Sequence, residues 1–212
     1  MKVVVTRPRG QEDALVRGLV ALGHEVVHCP LLEIEPTGDE PLDVSGYDWV
    51  IVTSVNGARE LRRRMTGAPV RVAAIGRATA DAFGGADLVP AVSTQEGLLA
   101  ELPRPAGRVL FAGAEGARPL LADELGADVA VLYRTRELRP AEPPTGDLVV
   151  LASASAARAF VRLETDIPAV SIGPVTTAAA RELGVEVVRE APTHDLAGLL
   201  AAIGSAACSS PS

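Results

Sequence analysis

The sequence predicts an α/β protein made of two similar lobes, each a parallel β-sheet flanked by helices. Short apolar runs alternate with helical patterns along most of the chain, which is typical of parallel sheets covered by helices. The pattern recurs about 100 residues later, a spacing that suits a domain duplication better than a solenoid. Each half also carries a Pro-rich stretch at the same place, EIEPTGDEP and ELRPAEPPTGD.

The predicted strands are short, rich in β-branched residues and followed by turn residues. They are Val3–Val5, Val26–Val27, Val50–Val52, Val72–Ile75, Val109–Phe111, Val129–Leu132, Leu148–Leu151 and Val170–Ile172, with edge strands at Leu88–Val89 and Val185–Val188. The segments between them carry apolar residues at three- and four-residue spacing, the period of a helix packed on a sheet. These positions include Leu15, Leu19, Leu22, Leu120, Leu121 and Leu125.

Four pairs of segments carry the internal repeat. The paired segments are VVVTRPRGQEDALVRGLVALG with VLFAGAEGARPLLADELG, DWVIVTSVNGAREL with DLVVLASASAARAF, VAAIGRATADAFGG with AVSIGPVTTAAARELG, and TQEGLLAEL with THDLAGLLAAI. The two Pro-rich stretches are predicted to be the crossings between lobes, because Pro and Gly interrupt both helices and strands. We therefore expect a discontinuous lobe of residues 1–35 and 141–212, and an inserted lobe of residues 36–140. The alternative is two sequential domains divided near Pro103–Gly107.

Composition excludes several classes of function. The net charge of −7 gives no long-range attraction for nucleic acid or membrane phosphates, and the few aromatic residues offer no stacking platform for single strands. Only Lys2 is a lysine, which disfavours Schiff-base chemistry. Cys29 and Cys208 form no CxxC pair and have no His at the spacing of a metal-ligand pair, so no metal is expected. We expect a cytoplasmic monomer, because the start of the chain has no signal-peptide pattern and no large apolar face is evident.

Candidate binding residues lie where the predicted strands end and the helices begin. Ligands of parallel α/β sheets bind beyond the carboxyl ends of the strands, and each helix start there exposes unpaired backbone N–H groups to an anion. The loops read TRPRGQ, TSVNGA, IGRATA, AGAEGA, ASASAA and IGPVTT, and the candidate side chains among their polar residues are Ser54, Asn56, Thr79, Ser153, Ser155 and Thr176. Arg7 follows the first strand and is suited to a bidentate contact with a carboxylate. The alternative is that the hydroxyl residues are ordinary helix N-caps.

Other sites lack the residues that they require. No GxGxxG motif follows a strand, and neither a GxxxxGK[ST] nor a GxSxG motif is present. Tyr133 ends the run VAVLYRT just before the second crossing. It is either a half-buried packing residue or, beside a cleft between the lobes, a proton donor to a leaving group.

The motifs TRP, PLLEIEP, TSVNGA, IGRATA, LYRT, ASASAARAF, IGPVTTAAARELG and APTHDLAGLL resemble, in this order, those of the uroporphyrinogen III synthases. The resemblance covers nearly the whole chain. It implies two α/β lobes joined by a two-stranded linker, with the site in the cleft between them. The end of the chain, SAACSSPS (residues 205–212), has no counterpart in the family and is expected to be a disordered tail.

The resemblance also implies an activity that uses no cofactor. The family converts hydroxymethylbilane, a linear tetrapyrrole with eight carboxylates, into uroporphyrinogen III, with loss of water and inversion of the last pyrrole ring. The tyrosine that assists loss of the hydroxyl matches Tyr133. The residues that line the cleft match Ser54, Gly76, Thr79, Ser153, Gly173 and Thr176.

Two rival interpretations remain at this point. The first is a non-catalytic regulatory module that binds a tetrapyrrole or another polyacid on the same fold. The second is a two-lobed binding protein of the periplasmic type, which requires export from the cytoplasm. Fold alone does not separate these from an enzyme.

Overall fold

A computed structural model describes residues 1–207 of the chain. In chain order its elements are β1 (Lys2–Val5), α1 (Asp13–Ala21), β2 (Glu25–His28), β3 (Leu32–Pro36), β4 (Leu42–Asp43), β5 (Trp49–Val52), α2 (Val55–Arg64), β6 (Met65–Thr66), β7 (Arg71–Ala74), α3 (Arg77–Phe83), α4 (Gln95–Glu101), β8 (Val109–Ala114), α5 (Leu120–Leu125), β9 (Asp128–Glu137), β10 (Leu148–Leu151), α6 (Ala154–Val161), β11 (Ala169–Ser171), α7 (Pro174–Glu182), β12 (Val187–Glu190) and α8 (Leu196–Ala207). The chain is therefore an α/β protein with parallel sheets, which confirms the predicted class.

The chain divides into two compact units. Unit 1 comprises Met1–Glu33 and the chain from Arg136 onward, and unit 2 comprises Ile34–Thr135. The alternative division point, Pro103–Gly107, lies inside unit 2. The boundaries between the units fall at residues 33/34 and 135/136, whereas the sequence predicts them at 35/36 and 140/141. The predicted tail also starts too early, because α8 continues through Ala207; residues 208–212, including Cys208, lie outside the described part.

Both crossings are formed by strands. β3 passes from unit 1 into unit 2 and β9 passes back, and the two strands are neighbours in one sheet. Leu138 N–H donates to the Leu31 carbonyl at 2.8 Å, while Thr37 N–H donates to the Leu132 carbonyl at 3.0 Å. Because Leu31 pairs with Leu138 while the later residue Thr37 pairs with the earlier residue Leu132, β3 and β9 run antiparallel.

Unit 1 contains a five-stranded sheet in the order β12-β11-β10-β1-β2, and all of its pairs are parallel. Successive residues of its central strands face opposite sides, as the pleat requires. Val3 and Val5 pack in a cluster with α1 and α8, whereas Val4 packs with α6 and α7. Leu15 and Leu19 of α1 are fully buried, but Leu22 is 51% exposed and follows the end of the helix. Leu22, which has the helical spacing in the sequence, therefore lies outside the helix and is not part of the packed face.

Unit 2 contains the order β3-β9-β8-β5-β7, in which β9, β8, β5 and β7 are parallel. Four strands have the same order in the two units: β7-β5-β8-β9 of unit 2 corresponds to β11-β10-β1-β2 of unit 1. β3 in unit 2 and β12 in unit 1 are the strands without a counterpart in the order of the other sheet. The predicted edge strand Leu88–Val89 is reduced to one bridge between Ala73 and Leu88, whereas its counterpart in unit 1 forms β12. Unit 2 also contains a small two-stranded parallel sheet of β4 and β6, which the apolar runs of the sequence do not predict.

The start of α8 gives a test of pH dependence. Asp195 accepts hydrogen bonds from the Gly198 N–H and the Thr193 hydroxyl, both at 2.8 Å. The Gly198 bond, followed by the Thr193 bond, holds the pKa of Asp195 below its ordinary value of 3.8. A lowered pKa means that the stabilisation is present at neutral pH and is lost as the pH falls through the lowered value.

We therefore expect Asp195→Asn to lower the free energy of unfolding at pH 7, because the amide caps the helix without a negative charge. The difference from the parent protein should shrink as the pH falls below about 4. Urea unfolding at a series of pH values measures this difference. A difference that stays constant between about pH 7 and about pH 3 would contradict the assignment.

Candidate functional site

In unit 2 the predicted residues lie at the starts of two neighbouring helices. Ser54 is the N-cap of α2, and Asn56 is the second residue of that helix. Gly76 is the N-cap of α3, and Thr79 is the third residue of that helix. Since β5 and β7 are adjacent and parallel, the loops that follow them lie at the same edge of the sheet.

Unit 1 repeats this arrangement. Ser153 is the N-cap of α6 and Ser155 its second residue, while Gly173 is the N-cap of α7 and Thr176 its third residue. The preceding strands, β10 and β11, are again adjacent and parallel. Arg7 lies in the loop after β1. β1 pairs with β10 on the side opposite to β11.

The strand order places some of these residues where ligands bind in open α/β sheets. In unit 1 the chain order reverses between β1 and β10, and in unit 2 it reverses between β8 and β5. Open α/β sheets bind ligands beyond the carboxyl ends of the strands at such a reversal. Arg7 and Ser153 lie at this point in unit 1, and Ser54 lies at it in unit 2.

The side chains at these starts differ in exposure. The serine oxygens serve as N-caps, because Ser54 Oγ accepts from the Gly57 N–H at 2.9 Å and Ser153 Oγ accepts from the Ala156 N–H at 3.1 Å. Both serines are half-buried. Thr79 and Thr176 are only 5% and 4% exposed, so their side chains are much less accessible to a ligand. The capping interpretation therefore holds for the two serines, although capping leaves their hydroxyl protons available for donation.

Tyr133 makes a side-chain hydrogen bond with Ser54 at the edge of the unit 2 sheet where α2 begins. It lies in β9, is 7% exposed, and its Oη is 2.9 Å from Ser54 Oγ. Its ring packs in the core cluster that contains Ala58 and Leu61 of α2. Tyr133 is thus largely buried, and its hydroxyl is held at the positive end of a helix.

Two contacts at the helix starts were not predicted from the sequence. A Cβ atom added to Gly173 would lie 2.8 Å from Cδ2 of His194, so the imidazole packs directly on this N-cap glycine. A Cβ atom added to Gly76 would lie 3.2 Å from Ser93 Oγ. His194 lies four residues before Gly198, and Ser93 lies four residues before Gly97, so the two contacts match when these two glycines are aligned. The alignment of THDLAG with TQEGLL does not show this, because Ser93 precedes TQEGLL.

A partly buried network of hydrogen bonds supports the start of α7. The Ser171 and Thr177 hydroxyls are 2.6 Å apart, and the Thr177 hydroxyl donates to Glu190 Oε2. Ser171 is fully buried and Thr177 is 6% exposed. These residues connect β11, α7 and β12, and they hold the turn that contains Gly173.

Acidic cavities occur at the opposite edge of unit 1. One of about 310 Å³ precedes β11 and β12 and is lined by Glu164, Asp166 and Glu186 among others. Its carboxylates would repel an anionic ligand, whereas the helix starts attract one. Among residues 1–207, no group of three or more His, Cys, Asp or Glu side chains is arranged to hold a metal ion. Within the same residues no helix is both long and apolar enough to span a bilayer.

These features define a duplicated α/β protein whose polar groups gather at strand ends beside helix starts, as in proteins that bind anionic ligands. The chain belongs to the uroporphyrinogen III synthase family, since the family model described as "Uroporphyrinogen-III synthase HemD" matches residues 13–201. It is 27% identical to the uroporphyrinogen-III synthase of Synechococcus elongatus, over 95% of this chain and 93% of the relative.

A solved structure shares the fold. A mutant uroporphyrinogen III synthase from the extremely thermophilic bacterium Thermus thermophilus matches with a TM-score of 0.61 and 19% sequence identity. The match covers 99% of this chain and all of the other. At this identity the likeness concerns the fold alone.

Proposed function

We propose that this chain converts hydroxymethylbilane into uroporphyrinogen III, with loss of water and inversion of the last pyrrole ring. Membership of the family supports the activity. The structural observation that carries the proposal is the Tyr133 hydroxyl, 2.9 Å from Ser54 Oγ at the start of α2. The proposal takes this hydroxyl as the proton donor and the neighbouring helix starts as the groups that bind carboxylates.

The proposed role of Tyr133 is to donate its proton to the terminal hydroxyl of the bilane. The carbon–oxygen bond then breaks, water leaves, and an electrophilic azafulvene remains. The substituted carbon of the last pyrrole attacks it to give a spiro intermediate, which is cleaved and closed again with that ring inverted. Ring closure releases one proton, which balances the one donated, so no oxidant, reductant or cofactor is consumed.

We further propose that donors at the helix starts of each unit bind carboxylates of the substrate. The candidate donors are Ser54, Asn56, Gly76 and Thr79 in unit 2, and Arg7, Ser153, Ser155, Gly173 and Thr176 in unit 1. For the glycines and the buried threonines the donor is the backbone at the helix start. A hydrogen bond to a charged group contributes about 1.5–3 kcal/mol net. About four such bonds account for the roughly 8 kcal/mol of a micromolar complex.

Rigid backbone donors also suit the stereochemical problem. Without the enzyme the same bilane closes to the uninverted type I isomer, so the protein must control which carbon of the last ring attacks. Holding the reacting atoms in one geometry is a major source of catalysis. N–H groups at helix starts have fixed directions, because the helix behind them is packed on the sheet.

Isomer analysis tests the proposed function. Freshly generated hydroxymethylbilane is incubated with the purified protein, and the products are oxidised and separated into type I and type III porphyrins. We expect type III to dominate. Type I alone, formed at the spontaneous rate, would contradict the proposal and favour the non-catalytic tetrapyrrole-binding module.

We also propose that the protein acts as a monomer on this small polycarboxylate, without nucleic acid or membrane partners. The net charge of −7 supports the absence of nucleic-acid and membrane partners, because it gives no long-range attraction for their phosphates. Light scattering coupled to size exclusion should give a mass near the 21.9 kDa of one chain. The cytoplasmic location stays a prediction.

A further inference from the structure

Ser54 Oγ lies between two hydrogen-bonding partners in unit 2. The Gly57 N–H is 2.9 Å from it on one side, and Tyr133 Oη is 2.9 Å from it on the other. A serine hydroxyl has one proton to donate and two lone pairs to accept with. An amide N–H only donates, so Ser54 accepts from Gly57 and keeps its own proton for another partner.

The contact with Tyr133 permits either hydroxyl to donate. The direction is decided once Tyr133 gives up its proton, because a phenolate oxygen only accepts. We propose that Ser54 is a positioning residue that acts through Tyr133, donating to Oη as the phenolic proton passes to the leaving hydroxyl of the substrate. This inference rests on the proposed function. The Ser54 proton stays on Ser54, and the proton released at ring closure restores the phenol.

The surroundings of Ser54 favour this role. A hydrogen bond to a charged oxygen is roughly twice as strong as one between neutral groups, so the contact strengthens as the phenolate forms. The start of α2 also carries the positive end of the helix dipole, which favours negative charge there. A Cβ atom on Gly57 would lie 3.0 Å from Ser54 Oγ and 3.7 Å from Cε1 of Tyr133, so the glycine leaves room for both groups.

Unit 1 supplies a matched comparison. Ser153 caps α6 as Ser54 caps α2, and it accepts from Ala156 N–H at 3.1 Å. Both tyrosines of the chain, Tyr47 and Tyr133, belong to unit 2. Ser153 shares the capping role with Ser54, but within the described residues its Oγ has no hydrogen bond to a tyrosine, so its proton can be donated to a carboxylate. The hydroxyl proton of Ser54 is assigned to Tyr133, which leaves its backbone N–H for a carboxylate.

The test is a double-mutant cycle on kcat for the type III product. Ser54→Ala should lower kcat about tenfold, and Ser54→Ala combined with Tyr133→Phe should be no slower than Tyr133→Phe by more than about twofold. Ser153→Ala should act mainly on KM. In kcat/KM its effect should multiply with that of Tyr133→Phe, as expected for two independent residues. Ser54→Thr, which keeps the hydroxyl, should restore most of kcat.

Folding is separated from catalysis by a second variant. Ser54→Gly removes the hydroxyl but keeps a residue that is favoured at N-caps, so it should lose kcat as Ser54→Ala does while keeping a near-parental urea midpoint. Independent effects of Ser54→Ala and Tyr133→Phe, or a Ser54→Gly variant with unchanged kcat, would overturn the inference. A parent protein that forms no type III product would instead overturn the proposed function.

Discussion

Replacing Tyr133 with Phe is expected to lower kcat for the type III product by about 100-fold, at the lower end of the usual range for loss of a general acid. The substitution keeps the buried ring, which packs beside Ala58 and Leu61 of α2. It removes the one hydroxyl that lies 2.9 Å from Ser54 Oγ. KM should change little, since the carboxylate donors at the helix starts remain.

Initial rates with freshly prepared hydroxymethylbilane, resolved by isomer, measure this effect. The share of type I product should rise, because spontaneous closure then competes with a slowed enzyme. Tyr47→Phe is the matched control, since its hydroxyl donates to Asp128 at 2.8 Å and it precedes β5, at the amino end of that strand. Its kcat should be near parental. If Tyr133→Phe retained full activity, Tyr133 would be a packing residue, the alternative that the sequence leaves open.

The second large effect is expected from Gly198→Ala, which should lower the free energy of unfolding by about 3 kcal/mol. A Cβ atom at Gly198 would lie 2.0 Å from the Thr193 carbonyl oxygen and 2.8 Å from the carbonyl carbon. These are backbone atoms, so the start of α8 must move to accommodate the methyl group. The movement would disturb the Gly198 N–H bond to Asp195 and the burial of Leu199.

Two further variants make this prediction specific. Gly97 occupies the matching place in α4, where a Cβ atom would lie 2.1 Å from the Val92 carbonyl oxygen, so Gly97→Ala should destabilise unit 2 similarly. Gly204 lies in the same helix as Gly198, and a Cβ atom there meets nothing within 4 Å. Gly204→Ala should stabilise the protein by roughly 0.5–1 kcal/mol, since Ala is the better helix former. Urea unfolding followed by circular dichroism measures all three; equal effects of Gly198→Ala and Gly204→Ala would contradict the argument.

The sequence alone determined the fold class and the position of most strands. Strands such as Val3–Val5 and Leu148–Leu151 are continuous apolar runs because both faces of a parallel sheet are covered by helices. Such runs are legible without tertiary information, and so are the helix starts at Ser54 and Ser153, because N-capping depends on local backbone geometry. The family was legible too, since its motifs occur in order along nearly the whole chain.

Only the tertiary structure decided which polar groups meet and which are buried. The sequence predicts Ser54 and Thr79 alike as ligand-binding hydroxyls at helix starts, yet Ser54 is half-buried beside Tyr133 while Thr79 is only 5% exposed. The contact between Ser54 and Tyr133 joins residues 79 positions apart, and the packing of His194 on Gly173 joins two different loops. Leu88 was predicted to lie in an edge strand, but it forms only an isolated β-bridge with Ala73. These outcomes depend on sheet order and on helix packing across the chain, because hydrogen bonding and burial are properties of the assembled unit, whereas capping and apolar periodicity belong to a few consecutive residues.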